Sequence, residues 1–125
     1  MKLLLDTHVL LWWLDNPALL AEGARNAIAL PESLVFVSAA VAWEISIKHA
    51  LGKLRCPLDL EEMLAVNGFR PLPVSIQHAL TAGGLPAHHA DPFDRLLVAQ
   101  AQTERLILVT RDSALQSYGV DILAA

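Results

Sequence analysis

Apolar positions along the chain come in short unbroken runs, separated by stretches whose hydrophobic spacing is helical. Lys2–Leu5 carries three consecutive leucines, the pattern of a strand buried on both faces. Leu34–Val37 and Ile107–Val109 repeat it, and Val120–Leu123 predicts a last strand. Asp6-Thr7 ends the first run and predicts a capped helix from His8 to Leu14, with further helix from Pro17 to Leu30. Ala40–Leu51 is a helix stopped by Gly52, and Asp59–Val66 a helix closed by Asn67-Gly68. Arg70–Val74 reads as an edge strand, since Pro71 and Pro73 cannot donate to a ladder on both sides. Ser75–Ala82 is a short helix. Asp91-Pro92-Phe93-Asp94 opens the clearest helix, with a cap, a proline in the first turn and an acid facing the dipole, and it runs to about Glu104. A short helix follows Asp112. Strands alternating with helices predict a central parallel sheet covered on both sides, a three-layer α/β/α fold. With no repeat and no linker, residues 1–125 read as one domain.

Composition narrows the function. At 54% hydrophobic residues the chain is not a disordered segment. Nine Lys and Arg against thirteen Asp and Glu give a net charge of −4, so no global basic field draws it to nucleic acid or anionic lipid. A polyanionic substrate must be held by a local basic patch or through cations. The single cysteine, Cys56, forms no internal disulfide, and the expected compartment is the reducing cytoplasm. Asp6 and His8 interrupt the leading apolar run, and the longest uncharged apolar stretch, Leu34–Trp43, is too short to span a bilayer. No membrane role is expected.

The acids then acquire meaning from the predicted frame. Asp6 and Asp112 fall just past the carboxyl ends of two strands, Glu44 two turns into the helix after another, and Asp94 in the first turn of a helix. Ligands of open parallel sheets bind beyond that rim. Several ionised carboxylates gathered there would repel, at a cost of the order of several kcal/mol, unless a hard cation joined them. Oxygen ligands favour Mg²⁺ or Mn²⁺, whose chemistry suits phosphodiester hydrolysis. Each acid also has a plainer reading. Asp6, Asp91 and Asp112 are good helix caps, Asp94 is favourable at N3, and Glu44 with Lys48 forms an i,i+4 pair.

At these residues the sequence resembles the PIN-domain nucleases, and within them the VapC-type toxins of toxin–antitoxin pairs. Leu4-Leu5-Asp6-Thr7-His8, Val37-Ser38-Ala39 through Trp43-Glu44-Ile45, His89-Ala90-Asp91-Pro92-Phe93-Asp94-Arg95-Leu96-Leu97-Val98-Ala99-Gln100-Ala101 and Leu108-Val109-Thr110-Arg111-Asp112 match four family motifs in order. The resemblance implies a Rossmann-like sheet and a catalytic, metal-binding quartet of Asp6, Glu44, Asp94 and Asp112 that holds Mg²⁺ or Mn²⁺. Asp6 and Asp94 are the first choices for direct ligands. The resemblance also implies endoribonuclease activity, a homodimer, and a small antitoxin partner bound across the acidic groove.

Thr7, Ser38 and Thr110 fall beside the quartet and could steady carboxylates or water, or act as ordinary caps, and Asp91 supports the helix that carries Asp94. Lys48, Arg95 and Arg111 are candidate contacts for RNA phosphates, with Lys53 and Arg55 nearby, although a solvated charge or an ion pair to the same acids is the better default for any single one. His88 and His89 lack the spacing of a zinc site and read as loop histidines. Adjacent Trp12 and Trp13 cannot both face one core, which places one at a partner surface or both in a wide buried stripe. Three alternatives to the toxin remain. An RNA-processing nuclease outside a toxin module shares the site, and a non-catalytic binding module would use the acids only as caps. A phosphotransferase with an aspartyl nucleophile usually has a second acid two residues on, where this chain has His8.

Overall fold

The structure, a computed structural model, describes residues 1–54 and 59–125; Arg55 and Cys56 lie outside them. Five strands form one sheet in the order β3-β2-β1-β4-β5: β1 (Lys2–Leu5), β2 (Leu34–Ser38), β3 (Arg70–Leu72), β4 (Ile107–Thr110) and β5 (Ile122–Ala124). Every pairing is parallel. Leu3, Leu4 and Leu5 are all fully buried. Successive side chains of a strand point to opposite faces, so burial of all three requires cover on both sides of β1. The flanking helices supply it: α1 (Thr7–Asp15), α2 (Glu22–Ala29), α3 (Ala39–Ala50), α4 (Leu60–Val66), α5 (Ile76–Gly83) and α6 (Pro92–Glu104).

From β1 the chain builds one half of the sheet through β2 and β3, then returns through α5 and α6 to add β4 on the other side of β1. The order therefore reverses between β1 and β4. Their register pairs Leu5 with Val109, and the Asp6 amide donates to the Val109 carbonyl at 3.1 Å. Asp6 and Asp112 follow these two strand ends, in the crevice where open α/β sheets bind ligands.

The expected helix over Pro17–Leu30 is divided. Pro17–Leu19 is a 3-10 turn, Leu20 is extended and buried, and α2 starts only at Glu22. The Ala21 amide donates to the Ala125 carbonyl at 2.9 Å, which fixes the break by a tertiary bond. The edge strand expected over Arg70–Val74 stops at Leu72, and the segment after Asp112 is a 3-10 helix, Ser113–Tyr118. Among the described residues no helix is long and apolar enough to cross a membrane.

Candidate metal centre

A cleft of about 490 Å³ opens at the β1/β4 switch, lined by Asp6, His8, Trp12, His89, Asp94, Arg111 and Asp112. Three of the four predicted acids thus share one cavity. Asp6 caps α1, its Oδ1 accepting from the Val9 amide at 2.9 Å, while its Oδ2 accepts from the Thr110 hydroxyl. The Thr110 oxygen accepts in turn from the Asp112 amide at 3.1 Å. Asp112 Oδ1 accepts from the Ala114 amide at 3.0 Å. Both strand-end acids therefore cap with one oxygen, while the other is held by Thr110 in Asp6 and faces His89 in Asp112. Burial pushes the Asp6 carboxyl above its usual range, against the bonds from Thr110 and Val9.

Asp94 is different. It sits in the first turn of α6, aimed by a cap in which Asp91 Oδ1 accepts from the Phe93 and Asp94 amides at 2.8 and 3.2 Å. Among the described residues no group donates a hydrogen bond to its carboxylate. Burial first, then the charges of Asp91, Asp6 and Glu44, push it up to about 6, with only His89 opposing.

Glu44 is buried on α3 but does not line the cleft. Its Oε1 accepts from the Thr7 hydroxyl, and its Oε2 lies 2.6 Å from the Lys48 ammonium. That bond holds the Lys48 pKa above its ordinary value. Glu44 acts on the cleft through its field, which raises both Asp6 and Asp94.

His89, read from sequence as a loop residue, stands inside the site. Its Nδ1 accepts from the Asp91 amide at 3.1 Å, leaving the ring proton of the neutral imidazole on Nε2. Nε2 lies 3.0 Å from Asp112 Oδ2 and 3.6 Å from Asp94 Oδ2. Potential ligand atoms of His89, Asp94 and Asp112 all lie within 4.8 Å of one another. The donor set fits a divalent cation: two converging carboxylates, one with no donor of its own, and a histidine proton that orients the other. Only the HisHisAlaAsp run beside the last helix signalled this in sequence, because Asp112 lies 23 positions away.

The remaining candidates divide. Ser38 accepts from the Ala40 amide at 3.0 Å and so caps α3. Arg95, expected at a phosphate, instead straps the loop before α6. Its guanidinium donates to the Ala82, Leu85, Pro86 and His89 carbonyls at 2.9–3.3 Å. Those bonds direct its donors inward. Arg111 lines the cleft with its guanidinium 4.1 Å over the Trp12 ring. Trp13 points elsewhere, donating to Asn67 at 3.0 Å beside Phe69. Both tryptophans are half-buried, Trp12 lining the open cleft and Trp13 packed beside Phe69, while Trp43 is exposed.

Comparison with known proteins agrees with this geometry. The PIN-domain profile matches residues 3–120. The chain is 33% identical to Ribonuclease VapC22 of Mycobacterium tuberculosis, over 92% of this chain and 90% of that protein. The fold is similar to VapBC2 from Rickettsia felis bound to a DNA fragment from its promoter, with a TM-score of 0.71 at 14% identity over 100% of this chain and 99% of the other. FitAcB from Neisseria gonorrhoeae gives 0.68 at 20% identity, covering 97% and 96%.

Proposed function

The chain belongs to the PIN-domain family, in its VapC branch, and from that premise we propose that it is a divalent-metal-dependent endoribonuclease, the toxin of a toxin–antitoxin pair. Asp94 and Asp112, with Asp6 beside them, hold Mg²⁺ or Mn²⁺. When bound, such an ion supplies Lewis-acid polarisation of a phosphoryl oxygen and acidification of water. The protein's own contribution is placement and charge. Thr110 fixes Asp6, and His89 Nε2–H fixes Asp112. Glu44, anchored by Thr7 and Lys48, adds negative potential at Asp94 that a bound divalent cation would relieve. Lys48 stands as the phosphate contact, and residues 1–125 act as one domain in the cytoplasm.

The observation that carries this reading is the Asp94 carboxylate. Capping explains one oxygen each of Asp6, Asp91 and Asp112 and so supports the view of the acids as scaffold. Beyond a favourable N3 charge, it gives no use for a partly buried Asp94 that no group among the described residues hydrogen-bonds and that three acids repel. The test is digestion of unstructured RNA with and without Mn²⁺. Cleavage by the wild type that EDTA abolishes, and that folded Asp94→Asn lacks, supports the reading; activity retained in Asp94→Asn overturns it.

The similarity to VapBC assemblies supports a small antitoxin as partner, and we propose that it lies over the acidic cleft of a homodimer. Growth arrest on expression, relieved by an adjacent small protein, is the expected outcome. Harmless expression of an active enzyme would point to RNA processing instead.

A further inference from the structure

We propose that the aromatic side of the cleft is a nucleobase subsite, in which His8, Trp12 and Arg111 receive the base of the nucleotide whose phosphate lies at Asp94 and Asp112. This rests on the ribonuclease reading and adds what that reading lacks, a means of holding the substrate other than by its charge. Helix α1 starts from Asp6, so its first turns carry His8 and, one turn on, Trp12 into the same cleft. Their rings are 5.7 Å apart, and the charge of His8 is felt at Asp6. Val9 and Leu10, on the other face of α1, are fully buried and supply its core contact. Trp12 is thus rooted at the core by one side while lining the cleft with the rest.

The platform is braced. Arg111 lies over Trp12, and its Nη2 donates to the carbonyls of Leu19 and Ala125, the latter at 2.8 Å. A base therefore meets rings already fixed, and little side-chain freedom is lost on binding. The cleft, about 490 Å³, falls within the size range of small-ligand sites and has room for one nucleotide. Aromatic and guanidinium planes bind the π-face that every base presents, with weak sequence preference. That face is available only when the base is unstacked, so the subsite selects single-stranded or looped RNA.

The test uses two arms. In a protein whose remaining tryptophan is Trp12 (Trp13→Phe, Trp43→Phe), fluorescence is followed while adenosine 5′-monophosphate or ribose 5-phosphate is added with Mn²⁺. Saturable quenching by the nucleotide but not by the sugar phosphate is expected; equal responses overturn the subsite. In the second arm, Trp12→Ala raises KM for unstructured RNA about tenfold, the scale of one lost base stack, and Trp12→Phe by less than about threefold. Mn²⁺ affinity by calorimetry is unchanged in both. An unchanged KM in Trp12→Ala overturns the proposal while leaving the nuclease intact. If the wild type cleaves no RNA, the ribonuclease reading fails, and the fluorescence arm still decides the subsite. Should Trp12→Ala not fold, the fluorescence arm and Trp12→Phe decide it, a KM raised more than about tenfold in folded Trp12→Phe counting against ring stacking.

Discussion

Two histidines near the starts of successive helices have nearly the same hydrogen-bond pattern and opposite surroundings. His78, on α5, takes the Ser75 amide on Nδ1 at 3.0 Å and meets Glu104 through Nε2 at 2.8 Å. His89, before α6, takes the Asp91 amide on Nδ1 at 3.1 Å and meets Asp112 through Nε2 at 3.0 Å. The first ring is buried and ties α5 to α6; the second is about one quarter exposed and lines the cleft. Among the described residues Glu104 is the one acid at His78, whereas Asp112 shares His89 with Asp94. A histidine–carboxylate pair is thus no mark of function by itself. What sets the second pair apart is surplus negative charge in an open cavity.

Removing that surplus is expected to have the largest effect. Asp94→Asn should lower Mn²⁺ affinity, measured by calorimetry, and RNA cleavage by more than about a hundredfold, beyond the range for groups that only orient a ligand. The metal-free variant should melt at higher temperature than the wild type at pH 7, because the uncompensated charge is gone. An unchanged melting point would mean that Asp94 is not strained in the fold.

The histidines should then separate. His89→Ala is expected to reduce Mn²⁺ affinity about 10- to 100-fold, with little change in denaturant midpoint. His78→Ala should do the reverse, costing about 1–3 kcal/mol of stability through the unpaired Ser75 amide and leaving metal affinity alone. If both variants lose stability equally and neither loses metal, the contrast is broken.

The smallest effect is on pH dependence. In the unfolded chain Asp94 titrates near 3.8, and in the metal-free fold at about 6. Between these values the fold holds a proton that the unfolded chain has released. Raising pH through the window therefore removes stability, and burial of Asp6 adds to the trend. Metal binding needs the ionised carboxylate, so Mn²⁺ affinity should rise over the same interval. Denaturation of metal-free protein at pH 4.5 and 7, with calorimetric titrations alongside, checks both slopes.

Much of this was legible from local pattern. Leu3–Leu5 announces a doubly covered strand because burial on both faces leaves no polar alternation, and Asp91-Pro92 announces α6 because cap chemistry is contiguous. The acids at strand ends were legible for the same reason, since strand and cap lie in neighbouring residues. Pro17–Leu30 misled because the partner that breaks the helix, the Ala125 carbonyl, is remote in sequence. His89 was missed likewise: a loop has no period to say which carboxylate its ring will reach. Arg95 looked like a phosphate contact because charge is visible in a sequence and the carbonyls that claim it are not.

The hydroxyl of Thr110 reaches back across 104 positions to the carboxylate of Asp6. During synthesis the two cannot meet until Thr110 has left the ribosome, and β1 must wait as long for one of its two neighbours. A growing chain is therefore without the acidic cleft until β4 is made. Under the nuclease reading, the RNA-rich apparatus that makes this protein is spared by topology until then.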